Sequence, residues 1–240
     1  MKKMISVIAV AAAASAAFAD STVFGVLRVD STNSQTIVAV PWVSASAAGS
    51  AISVADVVKT DNLAAGDRIC AYRNGVYEAW RLVNNGGTLE WQSANNVTVL
   101  GTTLSEGAAA RTLERGDALL LIRDDPGPYF YLNGQVPSGA AGTVTLPAGA
   151  WSLVAPPSTA DFNLNTAVWT GPGSTDEIIF KDANANMITL MYKDGAWKGK
   201  VKNPSTHVWE WSASAAVVPA GTGAWYHNKG ESAVTVNFGM

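Results

Sequence analysis

The sequence has a single cysteine among its 240 residues, so the chain can form no internal disulfide. Cys70 stands between Ile69 and Ala71 in an apolar run, which predicts a buried side chain; a reactive or intermolecular thiol is the alternative. A fold without cross-links must rest on its hydrophobic core, and a chain of this length can bury one large core or two small ones.

Charged residues are also scarce, at 15% of the chain, and no apolar run after residue 19 approaches the ~20 residues of a membrane helix. Lys2 and Lys3 precede a short apolar run, and Ala17-Phe18-Ala19 offers the small residues of a cleavage site. We therefore expect residues 1–19 to be a signal peptide of bacterial type. The mature chain is expected to be exported to the periplasm, cell surface or medium without inserting into the membrane.

Basic residues form no run along the sequence. Without Lys2 and Lys3, 14 basic residues face 19 acidic ones, which gives a net charge of −5. Nucleic acids and anionic lipids bind clustered Lys and Arg, so neither is expected as a partner.

Motifs that carry catalysis or bind metals are missing. The two histidines, His207 and His227, have no His, Cys or carboxylate at a metal-ligand spacing, and there is no nucleophile elbow or phosphate-binding loop. Glu90 and Glu210 are the carboxylates that symmetry would supply to a glycosidase, and we expect them to face solvent instead. The sequence predicts a protein without catalytic residues, metal or cofactor; an unrecognised hydrolase is the alternative.

The segment Asp182-Ala183-Asn184-Ala185-Asn186 begins like a calcium-binding loop. Such a loop continues with Gly and ends in Glu at its twelfth position, but here those positions hold Met187 and Lys193. We interpret the segment as a polar hairpin turn between two strands.

The sequence is rich in glycine and in short runs of Val, Ile, Thr and aromatic residues separated by turn residues, which predicts an all-β fold. Residues 22–29 and 35–40 are predicted to be two strands across a turn, and residues 52–58 fit either a helical turn or a strand. Residues 95–111 are weakly patterned, which predicts a long loop or a frayed edge hairpin.

A series of landmarks occurs twice in the same order. Tyr72-Arg73-Asn74-Gly75 returns 120 residues later as Tyr192-Lys193-Asp194-Gly195, and a Glu-Trp pair follows each copy. We interpret the chain as a duplicated antiparallel β module, with repeat 1 over residues 20–143 and repeat 2 over residues 144–240. This predicts a pseudo-two-fold sandwich or paired barrel-like lobes, packed as one unit. Four further matches are Val38-Ala39-Val40-Pro41 with Leu153-Val154-Ala155-Pro156, Ala55-Asp56-Val57 with Ala160-Asp161-Phe162, Asp67-Arg68-Ile69 with Asp176-Glu177-Ile178, and Gly116 with Gly221.

Nine tryptophans are the most conspicuous residues, and Trp91 and Trp211 are expected to occupy equivalent core positions of the two repeats. Trp42 and Trp197 lie beside turns and are the better candidates for exposure. Trp209 and Trp211 alternate onto one face of a predicted strand, with the residue between them on the other face. The candidate ligand-binding residues, whose rings would stack on sugars beside a carboxylate, are Trp197, Trp209, Trp211 and Glu210.

The segment Val218-Pro219-Ala220-Gly221-Thr222-Gly223-Ala224-Trp225-Tyr226 resembles the "PAGxGFWY" strand of secreted bacterial all-β surface modules. Leu153-Val154-Ala155-Pro156-Pro157 resembles the "NLVGNP" strand of the same modules, with Ala155 in place of the Asn before the proline. The resemblance implies an exported β module and carries over no active-site residue.

Two hypotheses about function follow. The leading one is an exported, non-enzymatic structural or adhesive protein of the cell surface or extracellular matrix. It would associate with itself or with other surface proteins through its terminal strands, residues 22–29 and 233–238, which would be exposed edges if left unpaired. The alternative is a glycan-binding module that uses exposed tryptophans.

Overall fold

The computed structural model describes residues 24–30, 34–40, 53–73, 76–94, 98–99, 102–103, 105–106, 113, 117–135, 143–182 and 184–239. The predicted signal peptide, Trp42 and the Asn74-Gly75 turn lie outside these residues. Short strands dominate, almost all paired antiparallel, so the predicted all-β fold is confirmed. In the described part of the chain, no helix has the length and hydropathy needed to cross a bilayer.

The described residues of the first half form ten strands and one helical turn. They are β1 (Phe24–Asp30), β2 (Gln35–Ala39), α1 (Val54–Val57), β3 (Arg68–Arg73), β4 (Val76–Asn85), β5 (Thr88–Ser93), β6 (Thr98–Val99), β7 (Thr102–Thr103), β8 (Ser105–Glu106), β9 (Ala118–Ile122) and β10 (Tyr129–Gln135).

The described residues of the second half form eleven strands, with 3₁₀ turns at Leu164–Thr166 and Ala213–Ala215. The strands are β11 (Thr143–Leu146), β12 (Trp151–Val154), β13 (Phe162–Asn163), β14 (Val168–Thr170), β15 (Glu177–Lys181), β16 (Met187–Lys193), β17 (Ala196–Lys202), β18 (Trp209–Ser212), β19 (Val217–Val218), β20 (Ala224–His227) and β21 (Val234–Asn237).

The first large sheet has the strand order β2-β9-β3-β4-β5, with β8 added parallel to β4. Its central strands are buried on both faces, which explains the unbroken apolar run of β9. Leu119 and Leu121 join one core cluster, whereas Ala118 and Leu120 on the opposite face join another. The first cluster is closed by the β1-β10 pair and α1, which contribute residues such as Phe130.

The second large sheet has the order β12-β20-β15-β16-β17-β18. The buried face of this sheet packs against a three-stranded sheet with the order β11-β21-β14. The rings of Trp197 and Trp169 lie 5.1 Å apart, and Trp169 stacks on Tyr226 at 5.7 Å. These aromatic contacts fill the space between the two sheets.

The two halves of the chain share one buried cluster, which contains Cys70, Tyr72 and Leu120 together with residues of the second sheet. The Tyr72 hydroxyl and the Ser152 hydroxyl form a buried hydrogen bond of 2.7 Å between the halves. Burial raises the pKa of the Cys70 thiol to about 12, against the opposing charge of Arg68, and the prediction that this side chain is buried is confirmed.

The glycine-rich segment before β20 joins the two large sheets. Thr222 pairs with Val38 of β2, and the Gly223 N–H donates to the Ile37 carbonyl at 3.0 Å. A Cβ on Gly223 would lie 2.6 Å from the Ile37 Cγ2 and 2.8 Å from the Ala155 Cβ. Only glycine fits at this close approach of two backbones.

The same buried corner occurs once in each half. Asp67 and Asp176 each accept, on one carboxylate oxygen, the backbone N–H three residues earlier, at 3.0 Å and 2.8 Å. The other oxygen accepts a backbone N–H from the residue two positions after the neighbouring strand. For Asp67 this is Asp124, after β9, at 3.3 Å, and for Asp176 it is Lys229, after β20, at 2.9 Å. The carboxylates therefore fix the start of β3 against β9 and the start of β15 against β20.

The residue directly after β9 and the residue directly after β20, Arg123 and Asn228, are also buried. Arg123 donates to the Gly127 carbonyl at 3.0 Å, and Asn228 donates to the Ser232 carbonyl at 2.8 Å, four residues ahead in each case. Both side chains thus tie down the turn that follows β9 or β20.

Several expectations about strand pairing need correction. The predicted strands at residues 22–29 and 35–40 exist as β1 and β2, but β1 pairs with β10 and β2 pairs with β9. The last strand, β21, is flanked by β11 and β14 rather than exposed at an edge. Two other segments follow one of the alternatives expected for them: the helical turn α1 forms at Val54–Val57, and within residues 95–111 the described strands β6 and β7 form a short hairpin.

Candidate functional site

The strands β16, β17 and β18 form the outer end of the second sheet, and one face of this end is open to solvent. Alternation along β17 decides which side chains point to which face. Trp197 and Gly199 are buried against the core, so Lys198, Lys200 and Lys202 point the other way.

Tryptophans and lysines lie side by side on this open face. Lys200 is directly opposite Trp211, and Lys202 is directly opposite Trp209. The Nζ atoms of Lys193 and Lys200 lie 4.9 Å and 5.6 Å from the Trp211 ring centroid, within the range of cation–π attraction. Trp209 is 62% exposed and Trp211 is 39% exposed. We call Lys193, Lys200, Lys202, Trp209 and Trp211 the lysine–tryptophan face.

Two other lysines of the second sheet are neutralised locally. Lys198 forms an ion pair with Asp194 at 2.9 Å, and Lys229 forms one with Glu177 at 2.8 Å. The hydrogen bond from Lys198 and its positive charge lower the pKa of the Asp194 carboxyl. These lysines therefore already have partners.

The lysines of the lysine–tryptophan face are different. In the described part of the chain, no carboxylate lies within salt-bridge distance of Lys193, Lys200 or Lys202. The chain as a whole carries a net charge of −3. The face is therefore a local concentration of positive charge on an acidic protein, relieved in part at Lys193 by the nearby Asp194 carboxylate, whose pKa that lysine also helps to lower.

Trp197 does not belong to this face, and the expectation that it would be exposed is wrong. Its ring is fully buried, 5.2 Å from the Tyr192 ring and 5.9 Å from the Tyr226 ring. Its backbone N–H donates to the Asn165 side chain at 2.7 Å. The turn before Trp197 is exposed, but the phase of β17 turns this side chain inward.

Glu210 lies on the opposite side of β18 from the two exposed tryptophans, as predicted. Its carboxylate accepts a hydrogen bond of 3.0 Å from the Asn203 side chain in the same hairpin. Glu90 likewise accepts a hydrogen bond of 3.3 Å from Asn85. A ligand bound on the lysine–tryptophan face would therefore not meet Glu210.

Trp91 and Trp211 do not occupy equivalent environments, so that prediction is wrong. Trp91 lies on the same side of its sheet as Ile69, packs against the core, and donates from Nε1 to the Val58 carbonyl at 3.2 Å. Ile178 follows Asp176 by two residues, as Ile69 follows Asp67. Trp211 lies on the opposite side of its sheet from Ile178. Relative to Tyr72 and Tyr192, however, the two rings lie on the same face, so the difference is that this face is packed against a core cluster at Trp91 and exposed at Trp211.

The segment that resembles a calcium loop is a hairpin turn between β15 and β16, as predicted. The Asp182 carboxylate accepts the backbone N–H groups of Asn184 and Asn186 at 2.8 Å each, and the Asn186 side chain at 3.0 Å. Burial acts to raise the pKa of Asp182, but these hydrogen bonds outweigh it and lower the pKa. The carboxylate is occupied by its own turn.

Neither histidine stands in a constellation that suggests chemistry. His207 is exposed, whereas the His227 ring stacks on Trp151 at 4.2 Å. The residues that the structure describes contain no group of three His, Cys, Asp or Glu side chains placed to hold a metal ion.

Three residues of the lysine–tryptophan face, Lys193, Lys200 and Lys202, were not identified as site residues from the sequence. The signal was the alternation of lysine at positions 198, 200 and 202, which places three cations on one strand face opposite to Trp197. No protein-family model, curated protein or solved structure matches this chain.

Proposed function

We propose that this chain is an exported, non-enzymatic adhesive β protein that binds a glycan on the lysine–tryptophan face. The observation that carries the proposal is the exposure of two neighbouring indole rings, Trp209 and Trp211, on one flat sheet face. Large exposed aromatic surface is costly to maintain in water and is typical of binding sites. Pyranose rings have apolar faces of C–H groups that suit stacking on such rings.

Export is supported by the predicted signal peptide at residues 1–19. Strand pairing argues against adhesion through the last strand, because β21 is paired along both edges, whereas β1 is paired along one edge, with β10. We assign the adhesive surface to the sheet face with the exposed tryptophans.

The chain is also proposed to be a duplication of one β module. The matching hydrogen bonds of Asp67 and Asp176 support this, as do the matching positions of β9 and β20 beside the first strand of each sheet. The lysine–tryptophan face belongs to the second half alone, since the Trp91 side of the first sheet packs against the core.

Glycan-array binding tests the proposed function. Wild-type protein is expected to bind a defined set of glycans, and Trp209→Ala and Trp211→Ala are expected to lose that binding while remaining folded. Val208→Ala is the control, because Val208 is 57% exposed in the same hairpin but is not part of the face. An array on which wild-type protein binds no glycan, or on which the tryptophan variants bind as well as wild type, would overturn the proposal.

A further inference from the structure

We infer that the ligand of the lysine–tryptophan face is an acidic polysaccharide, a polymer whose repeating sugar carries a carboxylate. This inference rests on the proposed function and narrows it to one chemical class of glycan.

The face presents the same pair of residues twice. Lys200 with Trp211 and Lys202 with Trp209 are two cross-strand pairs, each with an apolar ring beside a cation. Same-face residues are roughly 7 Å apart along a strand, and neighbouring strands are about 4.8 Å apart. A complementary ligand repeats an apolar ring surface and an anion at regular intervals, as a chain of uronic acid residues does.

The positive charges of the face favour an anionic ligand. Lys193 and Lys200 both approach the Trp211 ring, so the face brings two like charges to the same aromatic side chain. Among the described residues, no carboxylate lies close enough to pair with either of them or with Lys202. A bound carboxylate would compensate these charges, whereas a neutral sugar would leave them as they are.

A nucleic acid is a second polyanion that stacks on aromatic rings, and the charge of the chain favours a glycan over it. Nucleic-acid binding relies on many Lys and Arg contacts to phosphates, whereas this chain carries a net charge of −3 and the face has three lysines. The predicted export of the chain also favours an extracellular polymer.

The test compares two forms of one polymer by calorimetric titration. Polygalacturonate carries free carboxylates, and fully methyl-esterified polygalacturonate has the same backbone without the charges. Wild-type protein is expected to bind the free acid at least tenfold more tightly than the ester, and more weakly as salt increases. Lys200→Gln combined with Lys202→Gln is expected to lower the affinity for the free acid about tenfold.

The control variant removes two other cations, by Lys59→Gln combined with Arg81→Gln. Neither residue forms an ion pair in the described part of the chain, and Arg81 lies on β4 of the first sheet. This variant is expected to bind like wild type, which would show that the position of the lysines matters and not the net charge.

The outcomes separate this inference from the proposed function. Equal binding of free acid and ester, lost in Trp211→Ala, would overturn the acidic ligand and leave a glycan-binding face. Binding of neither polymer, with no binding on a glycan array, would overturn both. Tighter binding of single-stranded oligothymidylate than of polygalacturonate would assign the face to nucleic acid and overturn the inference.

Discussion

Asp67 and Asp176 are 109 positions apart in the sequence and make equivalent hydrogen bonds. Each accepts the backbone N–H three residues earlier and the backbone N–H two residues after the end of the neighbouring strand. Both carboxylates are buried, and each also meets a second polar side chain. Asp176 accepts a hydrogen bond of 2.6 Å from the Tyr226 hydroxyl, and Asp67 lies 3.8 Å from the Arg123 guanidinium. Burial first, and then the hydrogen bond to Asp176, raise the pKa of Tyr226, so this phenol stays a donor.

Asp176→Ala and Asp67→Ala should each lower the free energy of unfolding by about 3 kcal/mol. Each change removes the acceptor of two partly buried backbone hydrogen bonds and the partner of a buried Tyr or Arg. Urea denaturation measures the effect. Asp125→Ala is the control, because Asp125 is exposed, and it should change stability by less than about 0.5 kcal/mol. A loss below about 1 kcal/mol in both corner variants would contradict a structural role.

Much of the fold could be predicted from the sequence where the determinants are local. Apolar residues around Cys70, the polar turn at residues 182–186 and the alternation of Trp209 with Glu210 each depend on neighbours in the chain. The pairing of β1 could not be predicted in this way. Its partner β10 is about a hundred residues away, and no local signal distinguishes it from β2, which follows after a short turn.

The site was partly predictable for the same reason. Trp209 and Trp211 were identified from alternation within one strand, and they do share an exposed face. The position of Trp197 after a turn predicts an exposed side chain. Its alternation with Lys198 and Lys200 along β17 instead places the ring on the buried face. Trp91 and Trp211 lie on the same face relative to Tyr72 and Tyr192, but no local signal shows that this face is packed against a core cluster at Trp91 and exposed at Trp211.

Trp197 and Trp209 should respond to truncation in opposite ways. Trp197→Ala removes a fully buried ring from the aromatic cluster, and about 3 to 5 kcal/mol of stability should be lost. Trp209→Ala removes a mostly exposed ring, and stability should change by less than about 1 kcal/mol. Thermal and urea unfolding of both variants make the comparison. Equal losses would contradict the assignment of one ring to the core and the other to the surface.

Gly223→Ala should destabilise the junction of the two large sheets by about 1 to 3 kcal/mol, since its Cβ would overlap Ile37 and Ala155. Gly173→Ala is the matched control. A Cβ there would meet Asp176 at an ordinary 3.5 Å, and the backbone of Gly173 needs no positive φ. Differential scanning calorimetry should show a lower Tm for the Gly223 variant alone. A Gly223 variant as stable as wild type would show that the junction can relax.

Acid should weaken the β15–β16 hairpin through Asp182. The pKa of this carboxyl is lowered from its ordinary value of 3.8, so its contribution to stability is present above that value and is lost as the pH falls through the lower folded value. Asp182→Asn keeps one acceptor oxygen but turns an amide toward the Asn186 amide. The variant should be less stable than wild type at pH 7, and the difference should shrink toward pH 3. A difference that is independent of pH would show that the charge plays no part.

Binding at the lysine–tryptophan face can be observed ring by ring. In a ¹⁵N-labelled sample, each tryptophan gives one indole N–H signal in a correlation spectrum, and single Trp→Phe variants assign them. Titration with a galacturonate oligomer should shift the signals of Trp209 and Trp211. A neutral galactose oligomer, titrated in parallel, should shift the same signals only at higher concentration. The buried Trp80 and Trp197 should stay unchanged. If neither oligomer moves Trp209 or Trp211, or if the shifts fall only on other tryptophans, this face does not bind the glycan.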